Sequence, residues 1–382
     1  MKRSLKSKNR KKRILVDIYY LHVAQTGIRT YTEALIESVQ SAVDPQFEYI
    51  ISPSYASIKS STFFKGKTPK WKNLLYQLLY FLRKAVVLPI LTHWHRCDLV
   101  FSPDILSPLW ARGVKISVIH DAAFWENPDH YNPRWRRYFL SLLDLSLRRN
   151  AQVVTITEYS KKQLQKHLNI PRLPVHVVYP ATNLVAKSTF KSERPLQSPY
   201  FLHVGVMEKR KNLVTLVRAY EHFLKETGKT DVKLVLVGQR GPRKELDDYD
   251  NVIHEIDRLR LRDQVILPGF VSREVLESYY QHAFVYIFPS LNEGFGMPIL
   301  EAFSYKIPVI ISNQGALREV GGEAVLYPKD NSAKAFAKEM EKLVKGKEVR
   351  NSLVERGEKR LKSFSGTQFL DKLEKVFSAE TW

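Results

Sequence analysis

Glu293-Gly294-Phe295-Gly296-Met297-Pro298-Ile299-Leu300-Glu301 decides how the rest of the chain is read. It follows Phe284-Val285-Tyr286-Ile287-Phe288-Pro289, an apolar, β-branched and aromatic run that predicts a buried parallel strand ending in a loop. Beyond Pro298 the residues to Tyr305 are mostly helix formers, and proline is best tolerated at the start of a helix. The unit is a strand, a glycine loop and a helix N-terminus. Its two glycines let backbone N–H groups approach a ligand, and the helix start adds a partial positive charge that suits a phosphate. Glu293 precedes the helix, and Glu301 lies about two turns along it. Carboxylates repel phosphate, so both are assigned to sugar hydroxyl groups, as acceptors. Standing alone, the stretch reads equally well as a plain βα turn with solvated carboxylates.

The same alternation extends in both directions. Buried strands are predicted over 13–18, 47–52, 98–102, 114–119, 152–157 and 174–178, and again over 200–205, 231–238, 264–271, 284–289, 309–312 and 324–327, with helical segments between most of them. This pattern predicts an α/β protein of two doubly wound Rossmann-like domains. Residues 1–13 form a basic tail, 14–183 the first domain, 184–199 a Ser-, Pro- and charge-mixed linker and 200–360 the second domain. Residues 361–382 hold a last helix that can cross back to the first domain.

Composition narrows the class. At 382 residues, 44% hydrophobic and 12% aromatic, the chain is globular, and its single cysteine, Cys97, fits a reducing compartment and a buried apolar role. Neither a secretory signal nor an uninterrupted apolar run of spanning length is read. The closest run, Leu74 to Leu91, is interrupted by Gln77, Arg83 and Lys84. The net charge is +21; the tail supplies eight cations and no acid, which leaves +13 on the remainder. An anionic membrane surface, nucleic acid and plain solubility all accommodate that charge. Trp71 to Leu91, basic and rich in Trp, Tyr and Leu, suits either a helix packed on a sheet or a membrane interface. No nucleic-acid module is visible, so a nucleic-acid partner is not expected.

Several loops carry candidate chemistry. Gln25 to Thr32, with Gly27, separates the first strand from a helix expected from Glu33, which is where an open α/β sheet binds phosphate. His120-Asp121 ends a strand and faces the ligand edge of a sheet; a strand-end hydrogen bond is the ordinary alternative. Arg210 and Lys211, adjacent before a helix, make a diphosphate clamp of one bidentate donor and one point charge, with a solvated face as the alternative. No His/Asp cluster at metal-ligand spacing is read.

Glu-x7-Glu within Glu-Gly-Phe-Gly-Met-Pro-Ile-Leu-Glu-Ala resembles the signature of retaining glycosyltransferases of family 4, which have the GT-B fold, two Rossmann-like domains facing a central cleft. Arg-Lys-Asn after the strand ending at Gly205 is similar to another feature of that family. The resemblance implies Glu293 and His120 at the donor sugar as catalytic residues. Gly294, Phe295, Gly296 and Met297 would surround sugar and phosphate, Glu301 the ribose, Arg210 and Lys211 the pyrophosphate, and Gly27 the donor phosphates. It places the base near Phe270 and Val271 and leaves Asp121 either on the acceptor side or holding its loop. Val206 departs from the arginine that many members carry directly after the glycine.

The implied reaction is metal- and cofactor-independent transfer of a hexose, mannose first, from a nucleotide diphosphate sugar. The acceptor would be a glycan or a lipid-linked molecule in cell-surface polysaccharide synthesis, at the cytoplasmic face of a membrane. An epimerase or a phosphorylase on the same fold, and a non-catalytic binder of anionic lipid or nucleic acid, are the alternatives.

Overall fold

The structure is a computed structural model and describes residues 10–24, 26–61, 63, 69–182, 193–241 and 244–379. Two compact units emerge, one formed by residues 1–183 and 365–382, the other by 184–364. The first unit holds strands β1 (Arg13–Asp17), β2 (Glu48–Ser52), β3 (Leu99–Ser102), β4 (Val114–Val118), β5 (Ala151–Thr155) and β6 (Val175–Val177). They form one sheet in the order β2-β1-β3-β4-β5-β6, with every pairing parallel. The second unit holds β7 (Tyr200–Val204), β8 (Lys233–Val237), β9 (Val265–Gly269), β10 (Val285–Phe288) and β11 (Val309–Ile311), ordered β11-β10-β7-β8-β9 and again all parallel.

Parallel strands covered on both faces need continuous apolar runs, and β3, β4 and β10 are buried at every position. Each sheet reverses its strand order once, between β1 and β3 in the first unit and between β7 and β10 in the second. Ligands of open α/β sheets bind at such reversals, beyond the carboxyl ends of the strands.

In the first unit the reversal is plugged. Asp17 ends β1 and Asp104 follows β3, both fully buried. Arg83 Nε lies 2.8 Å from Asp17 Oδ1, and Lys84 Nζ bridges Asp17 Oδ2 and Asp104 Oδ1 at 2.9 Å each. These two cations come from a continuous helix made of Lys70–Leu82, a π-helical turn Arg83–Val87, and Leu88–Trp94. The charges that interrupt the apolar run in the sequence are thus on the inner face of the helix. By length and composition alone, Trp71–Trp94 is the one helix among the described residues able to cross a membrane.

The last helix, Gly366–Ser378, belongs to the first unit. Phe369 packs edge-on to Tyr31, Phe377 meets Phe47 and Phe101, and Tyr49 donates its hydroxyl to Glu374 at 2.8 Å.

Three local readings are corrected. The first helix begins at Thr26, not near Glu33, because Arg29 pairs with Glu33 at i, i+4 and nothing from Thr26 onward breaks the turn. The Ser- and Lys-rich composition of 53–72 predicts an irregular loop, but the stretch is helical at Tyr55–Ser60 and from Lys70. The strand expected over 324–327 reduces to one bridge, Ile310 to Leu326.

Candidate active site

At the strand reversal of the second unit, β7 and β10 lie side by side and their loops converge. The chain leaves β7 into a 3-10 turn, Lys209–Lys211, and leaves β10 into the glycine loop. The Leu291 N–H donates to the Arg210 carbonyl at 2.7 Å, which ties the two loops together. Lys211 Nζ lies 2.5 Å from Glu293 Oε1, and an Arg210 guanidinium nitrogen lies 2.7 Å from the same oxygen. Glu208 holds the other edge of Arg210 at 2.8 Å, and the Lys211 ammonium sits 4.7 Å above the Phe288 ring. Arg210 keeps 41% of its side chain exposed, whereas Lys211 keeps 8%. The cluster is therefore open to an anion on the arginine side.

The electrostatics differ between the partners. Burial is the largest effect on Glu293 and would raise its pKa, but two cations on one carboxylate outweigh it and hold the group below the usual value. For Lys211 burial is again largest, and with Arg210 alongside it overrides the pull of Glu293, so the ammonium lies below the ordinary lysine value.

Two helices start beside this cluster, Leu213–Thr227 and Met297–Ser304, and neither has a side-chain cap at its N-terminus. Uncapped helix starts leave backbone N–H groups and the positive end of the dipole available, which suits an anion. The second helix begins after Gly296, whose φ of +98° only glycine adopts without strain. A Cβ there would lie 2.7 Å from Leu317 Cδ2 and 3.0 Å from Ile299 Cδ1. Gly294 is half-buried in the same loop. Phe295 is buried against Phe364 and serves the core, so only its backbone can meet a ligand. Met297, the first helical residue, is partly buried.

Glu301 Oε2 accepts from the Tyr280 hydroxyl at 2.6 Å, and burial raises its pKa. One of the oxygens assigned to a ribose thus already has a phenol partner. Phe270 stands 79% exposed, with Val271 partly buried after it, so a base at this loop would meet backbone groups and not an enclosing aromatic pocket.

The remaining candidates belong to the first unit. His120 is half-buried, with Nε2 3.1 Å from the Pro103 carbonyl and its ring edge-on to Tyr31, and burial lowers its pKa. A carbonyl partner makes Nε2–H the donor and leaves Nδ1 as an acceptor. Asp121 is exposed, and its Oδ1 accepts from the Ala123 N–H at 3.0 Å, a local loop contact. Gly27 is exposed in the first turn of Thr26–Ser41, and a Cβ there would meet nothing within 4 Å. It lies in a helix and not in a glycine loop, and its conformation does not require glycine.

Other residues of this region carry no motif in the sequence. Glu208 lies two positions before Arg210, and that spacing was the only available hint. The chain also carries an Asp-x-Asp, Asp248-Tyr249-Asp250. Asp250 pairs with Arg240, and Asp248 accepts from Asn251. No group of three or more metal-ligating side chains occurs among the described residues.

His203 is fully buried near the end of β7. Its Nδ1 donates to the Ile287 carbonyl at 3.0 Å, its ring stacks on Phe288, and Nε2 has no partner in the structure. A Cβ placed on Gly205 would lie 3.5 Å from that nitrogen and 3.7 Å from Lys211 Cε, so the imidazole adjoins the cationic cluster. Burial chiefly, with Lys211 adding to it, pushes His203 down to about 4 from an ordinary 6.5.

A histidine held below its unfolded value keeps its full contribution above that value and loses it on acidification. Between pH 6.5 and 4, His203 should therefore cost the second unit about 3 kcal/mol, at roughly 1.4 kcal/mol per pH unit. Denaturant unfolding across that range should show a shallower pH slope for His203→Phe than for the wild type; equal slopes would contradict the assignment.

Two all-parallel α/β units, the second with a cationic site at its strand reversal, define the GT-B class of glycosyltransferase. The family model for Glycosyl transferases group 1 matches residues 185–360, and that for Glycosyltransferase Family 4 matches 49–185. The chain belongs to the group 1 glycosyltransferase family and is a glycosyltransferase. It is 30% identical over 260 residues to O-antigen chain mannosyltransferase B of Escherichia coli, covering 65% of this chain and 66% of the relative. It is 28% identical over 332 residues to O-antigen chain mannosyltransferase RfbU of Salmonella typhimurium, covering 85% of this chain and 88% of the relative. Among solved structures, sucrose-phosphate synthase from Thermosynechococcus elongatus is similar with a TM-score of 0.70. It is 18% identical, and the match covers 97% of this chain and 99% of that one, a likeness of fold.

Proposed function

We propose that the protein is a retaining hexosyltransferase that moves mannose from a nucleotide diphosphate sugar to a glycan or lipid-linked acceptor in cell-surface polysaccharide synthesis. The observation that carries this reading is the Arg210–Lys211–Glu293 cluster between two uncapped helix starts at the strand reversal of the second unit. Cleaving the sugar–phosphate bond builds negative charge on the leaving diphosphate, and groups fixed in advance at that point lower the barrier most. Arg210, Lys211 and the helix N–H groups meet that charge without a metal. Both cations contact Glu293 through Oε1, and Oε2 is assigned as the acceptor for a sugar hydroxyl. Glu301, oriented by Tyr280, takes the ribose. We assign His120 to the sugar and Asp121 to the acceptor side. Attack and departure on one sugar face, with no covalent nucleophile, is the retaining course adopted here.

Mannose is favoured because the two relatives are both mannosyltransferases of O-antigen chains. The net charge of +21 supports attachment to a membrane at its cytoplasmic face. Part of that charge, on the tail residues 1–9 and on Lys65 and Lys67, lies outside the described residues.

A thermal-shift series with GDP-, UDP- and ADP-sugars tests the donor site. One sugar nucleotide should raise the unfolding temperature of the wild type and lose most of that effect on Glu301→Ala. Stabilisation by none of them, or equal stabilisation of the variant, would remove the site from this position.

A further inference from the structure

We infer that the outer face of the helix Trp71–Trp94 is the surface by which the protein lies on an anionic lipid bilayer. The inference rests on the membrane attachment proposed above and names the face responsible. Trp71, Leu74, Leu78, Leu82, Ile90 and Trp94 are all exposed along this helix, with Trp94 at 81% and Leu74 at 70%. Contiguous apolar exposure of this length, about 36 Å at 1.5 Å per residue, marks an interaction surface.

The π-helical turn is what makes the residues one face. At about 100° per residue, Leu74, Leu78 and Leu82 project within roughly 80° of one another. In an unbroken α-helix Ile90 and Trp94 would have rotated toward the buried side of Tyr76 and Tyr80. The Leu88 N–H instead donates to the Arg83 carbonyl five residues back, and the extra residue turns the second half back by roughly 100°. Ile90 and Trp94 then line up with Leu74 and Leu78, while Leu88 and Thr92 join Tyr76 and Tyr80 inside. Pro89, which cannot donate to an α-helical carbonyl, lies two residues after the turn and is compatible with this break.

Charge identifies the occupant. Residues 49–97 contain no aspartate or glutamate. Lys72 lies at one end of the face, its ammonium over the Phe63 and Trp71 rings, and exposed Arg96 follows the other end. Tryptophan and cations at both ends of an apolar stripe match a headgroup boundary carrying negative charge. A second copy packed antiparallel on the same face would bring the Lys72 end of one chain against the Arg96 end of the other. Spanning the membrane is incompatible with the fold, because Arg83 and Lys84 are ion-paired to Asp17 and Asp104 of the sheet. The helix lies on the bilayer and does not cross it.

The test is flotation of the full-length protein with phosphatidylcholine vesicles, with and without one-quarter phosphatidylglycerol. The wild type should bind the anionic vesicles. Leu78→Glu/Ile90→Glu, two changes at exposed positions, should bind about tenfold or more weakly while keeping the sugar-nucleotide thermal shift. Quenching by brominated lipid should fall in Trp94→Phe. Wild-type binding by the double variant, with binding lost on removal of residues 1–9, would overturn the face and leave membrane attachment to the tail. Absence of wild-type binding would overturn both. A wild-type dimer that the double variant dissociates, with no vesicle binding by either, would assign the face to a second copy and overturn the lipid assignment.

Discussion

Lys211→Met is expected to lower kcat/KM for sugar transfer about 10²- to 10³-fold, the usual cost of losing one preorganised group at a developing negative charge. Lys211 is held on three sides, by Glu293 at 2.5 Å, by the Phe288 ring and by burial that leaves 8% of the side chain exposed. Its position is therefore set without a donor, which is what preorganisation requires. The variant should also lose stability, because Glu293 keeps only Arg210, whose 41% exposure weakens the remaining pair.

These effects can be separated. Lys211→Met/Glu293→Gln removes both charges and should recover much of the stability without recovering turnover. Nucleoside diphosphate release from a sugar nucleotide, measured beside thermal unfolding, checks both. Turnover of the single variant within threefold of wild type, in a folded protein, would show that the cluster does not bear on the leaving group.

Asp17→Asn is expected to destabilise the first unit by about 3–5 kcal/mol, the range for removing one partner of a buried ion pair. Lys84 would then keep Asp104, while Arg83 would be left in a nearly dry site with only the Ser52 hydroxyl as a polar side-chain partner. Burial is the largest effect on Asp17 and would raise its pKa, but Lys84 and Arg83 together hold it below the usual carboxylate range. Its contribution is present at neutral pH and is lost as pH falls through that lowered value. Because the chain has two units, the loss should appear as faster amide exchange in β1 and β3 while β7 and β10 keep their protection. Unchanged exchange in β1 would mean that the network contributes nothing net. Asp17→Asn/Lys84→Met, which removes one charge of each sign, should recover part of the protection.

Local pattern accounts for much of what was legible in the sequence. Continuous β-branched and aromatic runs such as 285–288 mark parallel strands because both faces must be apolar. Glycine followed by a proline-led helix marks the loop at 294–298 because few other sequences tolerate that backbone. Both clues act within a few residues, so the α/β architecture, the glycine loop and the adjacent Arg210 and Lys211 could be read from the chain alone.

What required the tertiary structure is the identity of partners that lie far apart in sequence. Glu293 and Lys211 meet across 82 residues because β7 and β10 become neighbours at the strand reversal, which no local periodicity encodes. His203 reads as one residue of a strand until the Phe288 ring and the Ile287 carbonyl fix its tautomer. Arg83 and Lys84 interrupt an apolar run and look solvent-facing, yet they turn inward because Asp17 and Asp104 wait at the sheet edge. The π-helical turn then leaves the leucine and tryptophan side outward, reversing the polarity that composition suggested. Hydrophobic period settles which elements form; which charges are buried depends on the opposite charges that the folded sheet brings to them.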